Sequence, residues 1–387
     1  MSAPIRPLLT ARYGLAESWK LANAEPAGAY KVAREALSTR TPAELKEEVK
    51  KANVRGRGGA GFPAGVKWGF LNPQEGEQIY LVINADESEP GTFKDRSIMD
   101  LDPHRLVEGA IISCYAIGAP VAYIYVRGEL AFSINRLEQA LTEARQAGYL
   151  GERPFGADLG HPIDVYVHSG AGAYICGEET ALLNSLEGRR GEPRLKPPFP
   201  AVKGVFGMPT IVNNVETIAS VPDIVEMGGD AWSSLSRLPG DGGVRLYGVS
   251  GHVKNPGLFE APVGITMREL IDDYAGGMLD DRPLKAVIPG GSSTPVLDPR
   301  RRADAPDENH PLHKWHGQSE IDVPMGVDTY RALGTMLGTC CAIVMDDTVD
   351  MVEACRNLMR FYKHESCGQC TPCREGTGWL VDVLDNL

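Results

Sequence analysis

The fold is decided by residues 168–200, which read HSGAGAYICGEETALLNSLEGRRGEPRLKPPFP. An alternating, β-branched segment at 163–168 leads into this run, and its pattern predicts a strand that feeds directly into a glycine loop. The three glycines of the loop let the backbone approach a ligand without a Cβ in between. Residues 178–186 then have the apolar stripe of a helix, which ends at Gly188. A strand, a glycine loop and a helix in this order predict a ligand-binding turn.

The start of this helix combines features that favour two kinds of ligand group. Free backbone N–H groups at a helix start attract anions, which favours a phosphorylated cofactor. Glu178 and Glu179 would repel a phosphate at the same point, and they suit hydroxyls, amides or the edge of a flavin ring. We therefore expect the phosphate to lie toward the cations that follow the helix, which are Arg189, Arg190, Arg194 and Lys196. The alternative interpretation is an ordinary acidic first turn after a glycine turn.

Length, charge and cysteine content limit the classes of protein to consider. With 387 residues, two or three domains are expected. A net charge of -12 argues against nucleic acid as a partner. The first fourteen residues lack the apolar core of a signal peptide, and eight cysteines without such a signal indicate a reducing compartment. An apolar run at 106–126 is interrupted at Gly118-Ala119-Pro120, so it predicts a helix, a turn and a strand rather than a membrane span.

Strands and helices alternate along the first half of the chain. Strands are predicted at 79–84, 121–127 and 163–168, and helices at 103–117 and 133–147. This alternation predicts a parallel, doubly wound α/β sheet.

Two further loops and a pair of amides are candidates for the same site. Residues 56–61 match G-x-G-x-x-G, but a helix precedes them where the dinucleotide motif requires a strand, so we reject that motif here. Two interpretations of this loop stay open, a loop that lines a cofactor and a plain flexible loop. The acidic residues at 85–92 follow a strand, where carboxylates suit ribose or ribityl hydroxyls; the alternative is a solvated acidic turn. Asn213 and Asn214 are able to hold the edge of a heterocycle, although cap and turn roles are commoner.

A second module follows a linker at 233–243. A hairpin at 244–261, a helix at 266–274 and a strand at 284–288 predict a small α+β unit. Residues 289–327 are proline-rich and include the histidines 310, 313 and 316, for which a surface loop is favoured over a metal site.

The end of the chain has a distinct chemistry. Cys367, Cys370 and Cys373 form a C-x2-C-x2-C triplet after a predicted helix at 349–363. Iron–sulfur clusters use this spacing with a fourth cysteine, whereas structural zinc prefers two separated pairs, so an iron–sulfur cluster is favoured over zinc. A nicotinamide gives two electrons together and a cluster takes one at a time, so a flavin is the cofactor expected between them.

Five runs of the chain can be compared with known families. They are GRGGAGF at 56–62, NADESEPGTFKDR at 84–96, the glycine-loop run at 170–200, NNVET at 213–217 and ESCGQCTPCREG at 365–376. Together they closely resemble the NADH-binding flavoprotein subunits of respiratory complex I, the NADH:quinone oxidoreductase. The flavin subunits of NAD-linked hydrogenases and formate dehydrogenases share these motifs and are the alternative within the same class.

The resemblance implies a fold in several parts. It implies an α/β chain with a Rossmann-like, doubly wound parallel sheet, a small β-grasp (ubiquitin-like) module and a C-terminal helical segment that binds a cluster. The expected domains are an N-terminal helical leader at 1–40, an FMN- and NADH-binding domain at 41–243, the β-grasp module at 244–327 and the iron–sulfur segment at 328–387.

The resemblance also implies the site residues. The implied FMN contacts, with Thr217 beside them, are Gly56, Arg57, Gly58, Gly59, Lys67, Asn84, Asp86, Tyr174, Gly177, Glu178, Asn213 and Asn214. The implied NADH contacts are Phe62, Phe70, Glu89, Glu179, Lys196 and Phe199. Among them, Phe199 would stack on the adenine, and Glu89 and Glu179 would act at the nicotinamide or ribose end and discourage NADPH.

The same resemblance implies a cluster and partners. Cys367, Cys370 and Cys373 would be three ligands of a [4Fe–4S] cluster, with the fourth expected beyond Leu387, where the last apolar helix also indicates a longer bundle. The implied partners are other peripheral-arm subunits, including a [2Fe–2S] thioredoxin-like subunit, on the cytoplasmic side of the inner membrane and touching the membrane only through the complex. The alternative from another class is a non-catalytic assembly subunit in which the cysteine triplet binds zinc.

Overall fold

Two four-stranded sheets, one parallel and one mixed, organise the chain. The computed structural model describes residues 6–387. The strands are β1 (Tyr80–Ala85), β2 (Val121–Val126), β3 (Asp164–Ser169), β4 (Thr210–Asn214), β5 (Val244–Gly251), β6 (Gly257–Pro262), β7 (Leu284–Ile288) and β8 (Cys341–Asp346). The α-helices are α1 (Leu21–Ala24), α2 (Lys31–Thr39), α3 (Pro42–Lys51), α4 (Ala64–Trp68), α5 (Lys94–Leu101), α6 (Pro103–Ile117), α7 (Ala131–Gln146), α8 (Glu179–Leu186), α9 (Val215–Ala219), α10 (Val221–Met227), α11 (Gly229–Ser233), α12 (Met267–Glu269), α13 (Val327–Ala332), α14 (Met351–Glu365) and α15 (Thr371–Asp385).

The first sheet has the strand order β3-β2-β1-β4, and all of its pairs are parallel. Alternate residues of β1 point to opposite faces of the sheet. Leu81 and Ile83 lie in the large core that includes residues of α6, whereas Val82 lies in a smaller core with Leu182 and Leu183 of α8. The predicted alternation of parallel strands and helices is therefore confirmed, with helices on both faces.

Helix α6 explains the long apolar run near residue 110. All of its residues except Tyr115 are buried, and Gly118 ends the helix in the left-handed conformation at φ 74°. Because the helix is enclosed on almost every side, the apolar residues of its second half are not confined to one stripe. Among residues 6–387, no helix combines the length and the apolar character that crossing a bilayer requires.

The second sheet has the order β6-β5-β8-β7. Strands β5 and β6 form the predicted antiparallel hairpin, β7 pairs antiparallel with β8, and β8 lies parallel to β5 in the middle of the sheet. This mixed order is the β-grasp arrangement that the family resemblance implies. The sheet continues past the predicted limit at residue 327, because β8 comes from residues 341–346; the domain limits themselves stay predictions.

Helices α14 and α15 form the end of the described chain. They pack against each other, and Arg360 of α14 donates a 2.7 Å hydrogen bond to Asp385 of α15. The apolar face of α15 is open to solvent, since Trp379 is 70% exposed and Val383 is 58% exposed. The Cys367–Cys373 triplet lies between the two helices and runs into the first turn of α15.

Candidate functional site

A cavity of about 470 Å³ lies at the carboxyl ends of β1 and β4. This is the edge at which open α/β sheets bind ligands, and the volume falls within the usual range for small-molecule sites. The structure brings the following sequence-predicted residues to the cavity wall: Gly58, Gly59, Asn84, Asp86, Glu89, Tyr174, Gly177, Glu178 and Asn214.

The wall of the cavity is suited to a polar, planar ligand such as FMN. One side is the loop at 56–61, where Gly59 has φ +111° and an added Cβ on Gly58 would lie 3.2 Å from Asn214 Cβ. The positive φ favours glycine at position 59, and a Cβ at position 58 would press against Asn214. The other side presents the polar side chains of Asn84, Asp86 and Glu178, which suit ribityl hydroxyls. The residues present therefore fit the flavin that the sequence predicts.

Glu178 caps helix α8 from the residue before its first turn. Its Oε2 accepts hydrogen bonds of 2.9 Å from the backbone N–H groups of Thr180 and Ala181. Burial opposes ionisation, but hydrogen bonds from Thr180, Ala181 and Lys196 lower the pKa of Glu178. The first of the two predicted carboxylates is therefore an anion with a structural role as well as a place on the cavity wall.

Glu179 is held by two lysines. Lys67 Nζ donates to its Oε2 at 2.9 Å, and Lys196 Nζ donates to its Oε1 at 2.9 Å. Burial again opposes ionisation, but Lys67 and Lys196 lower the pKa of Glu179. Lys196 also bonds Glu178 at 3.0 Å, so the helix start is neutralised by the chain's own cations. Arg194 likewise pairs with Glu187 at 2.8 Å. Two of the cations expected around a phosphate, Arg194 and Lys196, are thus paired with carboxylates of the chain itself.

Asp86 is a buried acid at the end of β1. It is 1% exposed, and burial raises its pKa to about 7, against the lowering effect of a hydrogen bond from Ser88. Its Oδ2 would lie 3.4 Å from a Cβ on Gly177, so the acid faces the glycine loop across a narrow gap. The site therefore pairs an ionised carboxylate at Glu178 with one at Asp86 that binds a proton near neutral pH.

Glu89 connects three parts of the chain. Its Oε2 accepts from the Tyr174 hydroxyl at 2.6 Å, and its Oε1 accepts from Ser292 Oγ at 3.1 Å and from the Ser293 N–H at 2.6 Å. Tyr174 belongs to the glycine loop, and the serines follow β7 of the second sheet. The predicted NADH-binding carboxylate is therefore fixed by both sheets.

A buried charge cluster lies beneath Asn214. Lys94 Nζ bonds Asp95 at 2.7 Å, Glu216 at 2.8 Å and Asn214 Oδ1 at 3.2 Å. Asn214 Nδ2 donates to Asp95 at 2.6 Å, and Glu216 Oε1 accepts the Leu246 N–H of β5 at 2.9 Å. Burial opposes its charge, but Asp95 and Glu216 raise the pKa of Lys94. The cluster orients the cavity amide and ties the first sheet to the second.

Several predicted FMN residues lie behind the wall. The buried guanidinium of Arg57 bonds Asp241 at 2.8 Å and the carbonyl of Gly242, and the Arg57 N–H donates to Thr217 Oγ1 at 2.9 Å. Asn213 accepts from Trp68 Nε1 at 2.8 Å. These side chains fix the loop at 56–61 and the end of β4. The structure does not bring the side chains of Arg57, Asn213 and Thr217, or Gly56, to the cavity wall, so a direct cofactor contact there stays a prediction.

Of the predicted NADH residues outside the wall, Lys196 contacts Glu179, and the three phenylalanines lie close in sequence to Lys67 or Lys196. Phe62 and Phe70 contact each other with ring centroids 5.8 Å apart, on either side of Lys67 in the sequence. Both rings are about half exposed, and Phe199 is 57% exposed three residues after Lys196. The structure therefore presents aromatic surface near the two lysines, which is the kind of surface on which an adenine stacks.

Sequence analysis missed the contribution of the second module. Gly290, Ser293, Met336, Gly338 and Thr339 line the cavity from the loops after β7 and before β8. The signal was the run Pro289-Gly290-Gly291-Ser292 directly after a predicted strand, which has the same strand-end position as the acidic loop after β1.

The cysteine triplet offers three free thiols. Cys367 is half-buried, Cys370 and Cys373 are exposed, and Cys370 is the residue before α15. Within residues 6–387, no group of three or more His, Cys, Asp or Glu side chains forms a closed metal-binding set, and this includes the histidines near 313. The donor types and their spacing fit three of the four thiolates of a [4Fe–4S] cluster.

Comparison with known proteins identifies the family. Three family models match: the Nuo51 FMN-binding domain at 49–223, the SLBB domain at 245–317 and the iron-sulfur binding region of NADH-ubiquinone oxidoreductase-F at 353–387. The first covers the parallel sheet and the cavity residues that the parallel-sheet region contributes, and the last includes the cysteine triplet. These matches define an FMN-binding, iron–sulfur oxidoreductase subunit.

Individual relatives make the assignment specific. The second F-type subunit of NADH-quinone oxidoreductase in Rhizobium meliloti is 49% identical over 98% of this chain and 85% of its own length. The F-type subunit of Streptomyces coelicolor is 48% identical over 99% of this chain and 80% of its own length. The chain belongs to the family of F-type subunits of NADH-quinone oxidoreductase. A solved NAD+-reducing [NiFe]-hydrogenase chain also matches, with a TM-score of 0.79 and 33% identity, over 98% of this chain and 58% of that chain.

Proposed function

We propose that this chain is the NADH-oxidising flavoprotein subunit of an NADH-quinone oxidoreductase. NADH is oxidised at the cavity beside β1 and β4, with bound FMN as the primary acceptor and a [4Fe–4S] cluster as the next one. The observation that supports this most is the convergence of the glycine loop, the acidic strand end and the start of α8 on a single cavity. The identity of 48–49% with F-type subunits across nearly the whole chain supports the same function.

The residues of the chain bind and orient the reactants. When bound, FMN supplies a ring that accepts hydride from a nicotinamide and releases electrons singly. Asn84, Asp86 and Glu178 would hold the ribityl chain and the ring edge, and the loop at 56–61 would let the ring approach the backbone. Because both rings must be held in register, the rigid attachment of these side chains is the protein's main contribution to the rate.

NADH binds on the side of Glu89 and Glu179. Glu179, fixed between Lys67 and Lys196, accepts hydrogen bonds from ribose hydroxyls and repels the additional phosphate of NADPH. Phe199, which is 57% exposed, stacks on the adenine. Glu89 binds at the nicotinamide end. The cavity walls exclude water around the reacting atoms.

The chain works with other subunits of the complex. We extend this to a [2Fe–2S] thioredoxin-like subunit as the docking partner and to the cytoplasmic side of the inner membrane as the place of assembly. A hydrogenase-type complex is the second candidate, because the hydrogenase chain shares the fold at 33% identity. The higher identity to the F-type subunits favours the quinone oxidoreductase.

The function is tested by the flavin spectrum of the purified protein. We expect FMN absorption that NADH bleaches without oxygen. In Glu179→Gln the flavin should remain bound, but the NADH concentration for half-bleaching should rise about tenfold or more, the loss expected for a hydrogen bond to a charged group. Glu75→Gln, at an exposed position, is the matched control. A wild-type protein without flavin, or with flavin that NADH leaves oxidised, would contradict the proposal.

A further inference from the structure

Glu89 has almost all of its hydrogen-bonding capacity occupied by the protein. A carboxylate offers about four acceptor positions. Three are taken, by Tyr174, Ser292 and the Ser293 N–H, at distances between 2.6 and 3.1 Å. One position is left toward the cavity, so the direction of that last lone pair depends on how firmly the three donors are held.

One of these donors is itself held by the C-terminal helical segment. The hydroxyl of Tyr362, on α14, lies 2.6 Å from Ser292 Oγ. The Tyr362 ring packs edge-on against Tyr174, with centroids 5.9 Å apart, and against Phe361 at 5.3 Å. Tyr362 therefore contacts two of the three groups that bind Glu89, although it does not itself line the cavity.

The direction of the hydrogen bonds follows from the chemistry of the groups. A carboxylate only accepts, so Ser292 must give its single proton to Glu89. Ser292 then has only lone pairs for Tyr362, so Tyr362 donates. Burial raises the pKa of Tyr362, which keeps the phenol protonated. The result is a relay of donors from α14 through the second module to the cavity.

We propose that Tyr362 is a positioning residue for the nucleotide site, which it serves by fixing Glu89 through Ser292. The proposal rests on the proposed function, in which Glu89 binds NADH. It gives the C-terminal helical segment a role in substrate binding that is separate from its cysteines. Removing the phenol hydroxyl frees the Ser292 side chain to turn away. Glu89 then loses one of the three hydrogen-bond donors that orient its carboxylate.

The test is Tyr362→Phe in the FMN-loaded complex, which removes the hydroxyl and keeps the ring packing. We expect the KM for NADH to rise about fivefold, the equivalent of one net hydrogen bond of about 1 kcal/mol. The kcat should change by less than about twofold and the flavin content should stay constant, because Tyr362 does not touch the reacting atoms. Tyr166→Phe, a tyrosine 44% exposed on β3, is the control.

Ser292→Ala tests the same relay from its other end. Its effect on KM should equal that of Tyr362→Phe or exceed it, and the effect of the double variant should be clearly smaller than the product of the two single effects, because both substitutions remove the same Ser292–Tyr362 bond. A KM for Tyr362→Phe equal to that of Tyr166→Phe, or effects that multiply in the double variant, would overturn the relay. A wild-type complex whose flavin does not respond to NADH would instead overturn the function on which it rests.

Discussion

At the scale of single residues, the cavity uses one functional group in two ionisation states. Glu178 receives two backbone N–H groups and Lys196, which lower its pKa. Asp86 receives only a serine hydroxyl in a buried position, and its pKa rises to about 7. The difference comes from the deeper burial of Asp86 and from the fewer donors around its carboxylate, although both acids lie on the wall of the same cavity.

This difference predicts a pH dependence for Asp86. Its pKa rises from 3.8 in the unfolded chain to about 7 in the fold, so between these values the folded state binds one more proton. The free energy of unfolding therefore falls as pH rises from 4 to 7, by up to about 1.4 kcal/mol per pH unit from this group. In Asp86→Asn this contribution disappears, and the loss of stability between pH 5 and pH 7 should be smaller than in the wild type.

Urea unfolding at pH 5, 6 and 7 measures this slope. The matched control is Asp158→Asn, whose side chain is 78% exposed and whose slope should follow the wild type. Equal slopes for Asp86→Asn and the wild type would show that Asp86 is ionised throughout this range.

At the scale of elements, the segment after α8 binds the cysteine loop. Arg190 Nη2 donates to the Cys367 carbonyl at 2.6 Å, and Gln369 Nε2 donates to the Pro193 carbonyl at 2.9 Å. The cations after α8 were expected to serve a phosphate, yet Arg190 reaches the cysteines. The segment after α8 and the loop that offers the three thiols are thus adjacent in space.

Removing this contact should loosen the cysteine loop. In Arg190→Ala the amides of residues 366–370 should exchange hydrogen severalfold faster, because a charge-assisted bond to the loop backbone is lost. Arg189→Ala, which removes an adjacent cation paired with Glu187 at 3.5 Å, should leave this exchange unchanged. Mass spectrometry after deuterium labelling reads both variants. Equal exchange in the two variants would mean that Arg190 does not hold the loop.

Some elements were predictable from the sequence and others were not. Strands β1 to β3 and helix α6 were predicted within one or two residues, because their apolar pattern directly reports burial. Helix α12 is a single capped turn followed by a π-type turn, where the sequence predicts one helix at 266–274. The role of Ser292 was not predictable, because its partners Glu89 and Tyr362 come from distant segments whose meeting depends on the packing of both sheets.

At the scale of the whole molecule, buried charges join the two sheets. Lys94 is fully buried and bonds Asp95 and Glu216, and Glu216 accepts the Leu246 N–H of β5. Lys94→Met would leave two carboxylates buried without their cation. We expect the free energy of unfolding to fall by about 3–5 kcal/mol, the usual effect of breaking a buried pair.

Chemical unfolding followed by circular dichroism tests this expectation. Lys31→Met makes the same substitution at an exposed lysine, which pairs with Glu226. It should lower the free energy of unfolding by no more than about 1 kcal/mol. If both variants unfold at the same denaturant concentration, the buried lysine does not stabilise the junction.

The position of β8 has a consequence for how the chain folds during synthesis. Strand β8 fills the gap between β5 and β7, so nearly a hundred residues separate the partners of its parallel pairing, such as Gly248 and Cys341. Until Asp346 has left the ribosome, β5 and β7 both expose unpaired edges that can join strands of other nascent chains. The parallel sheet has all of its strands by Asn214 and is able to form first. Slow translation between residues 289 and 340 is therefore expected to increase aggregation in cells.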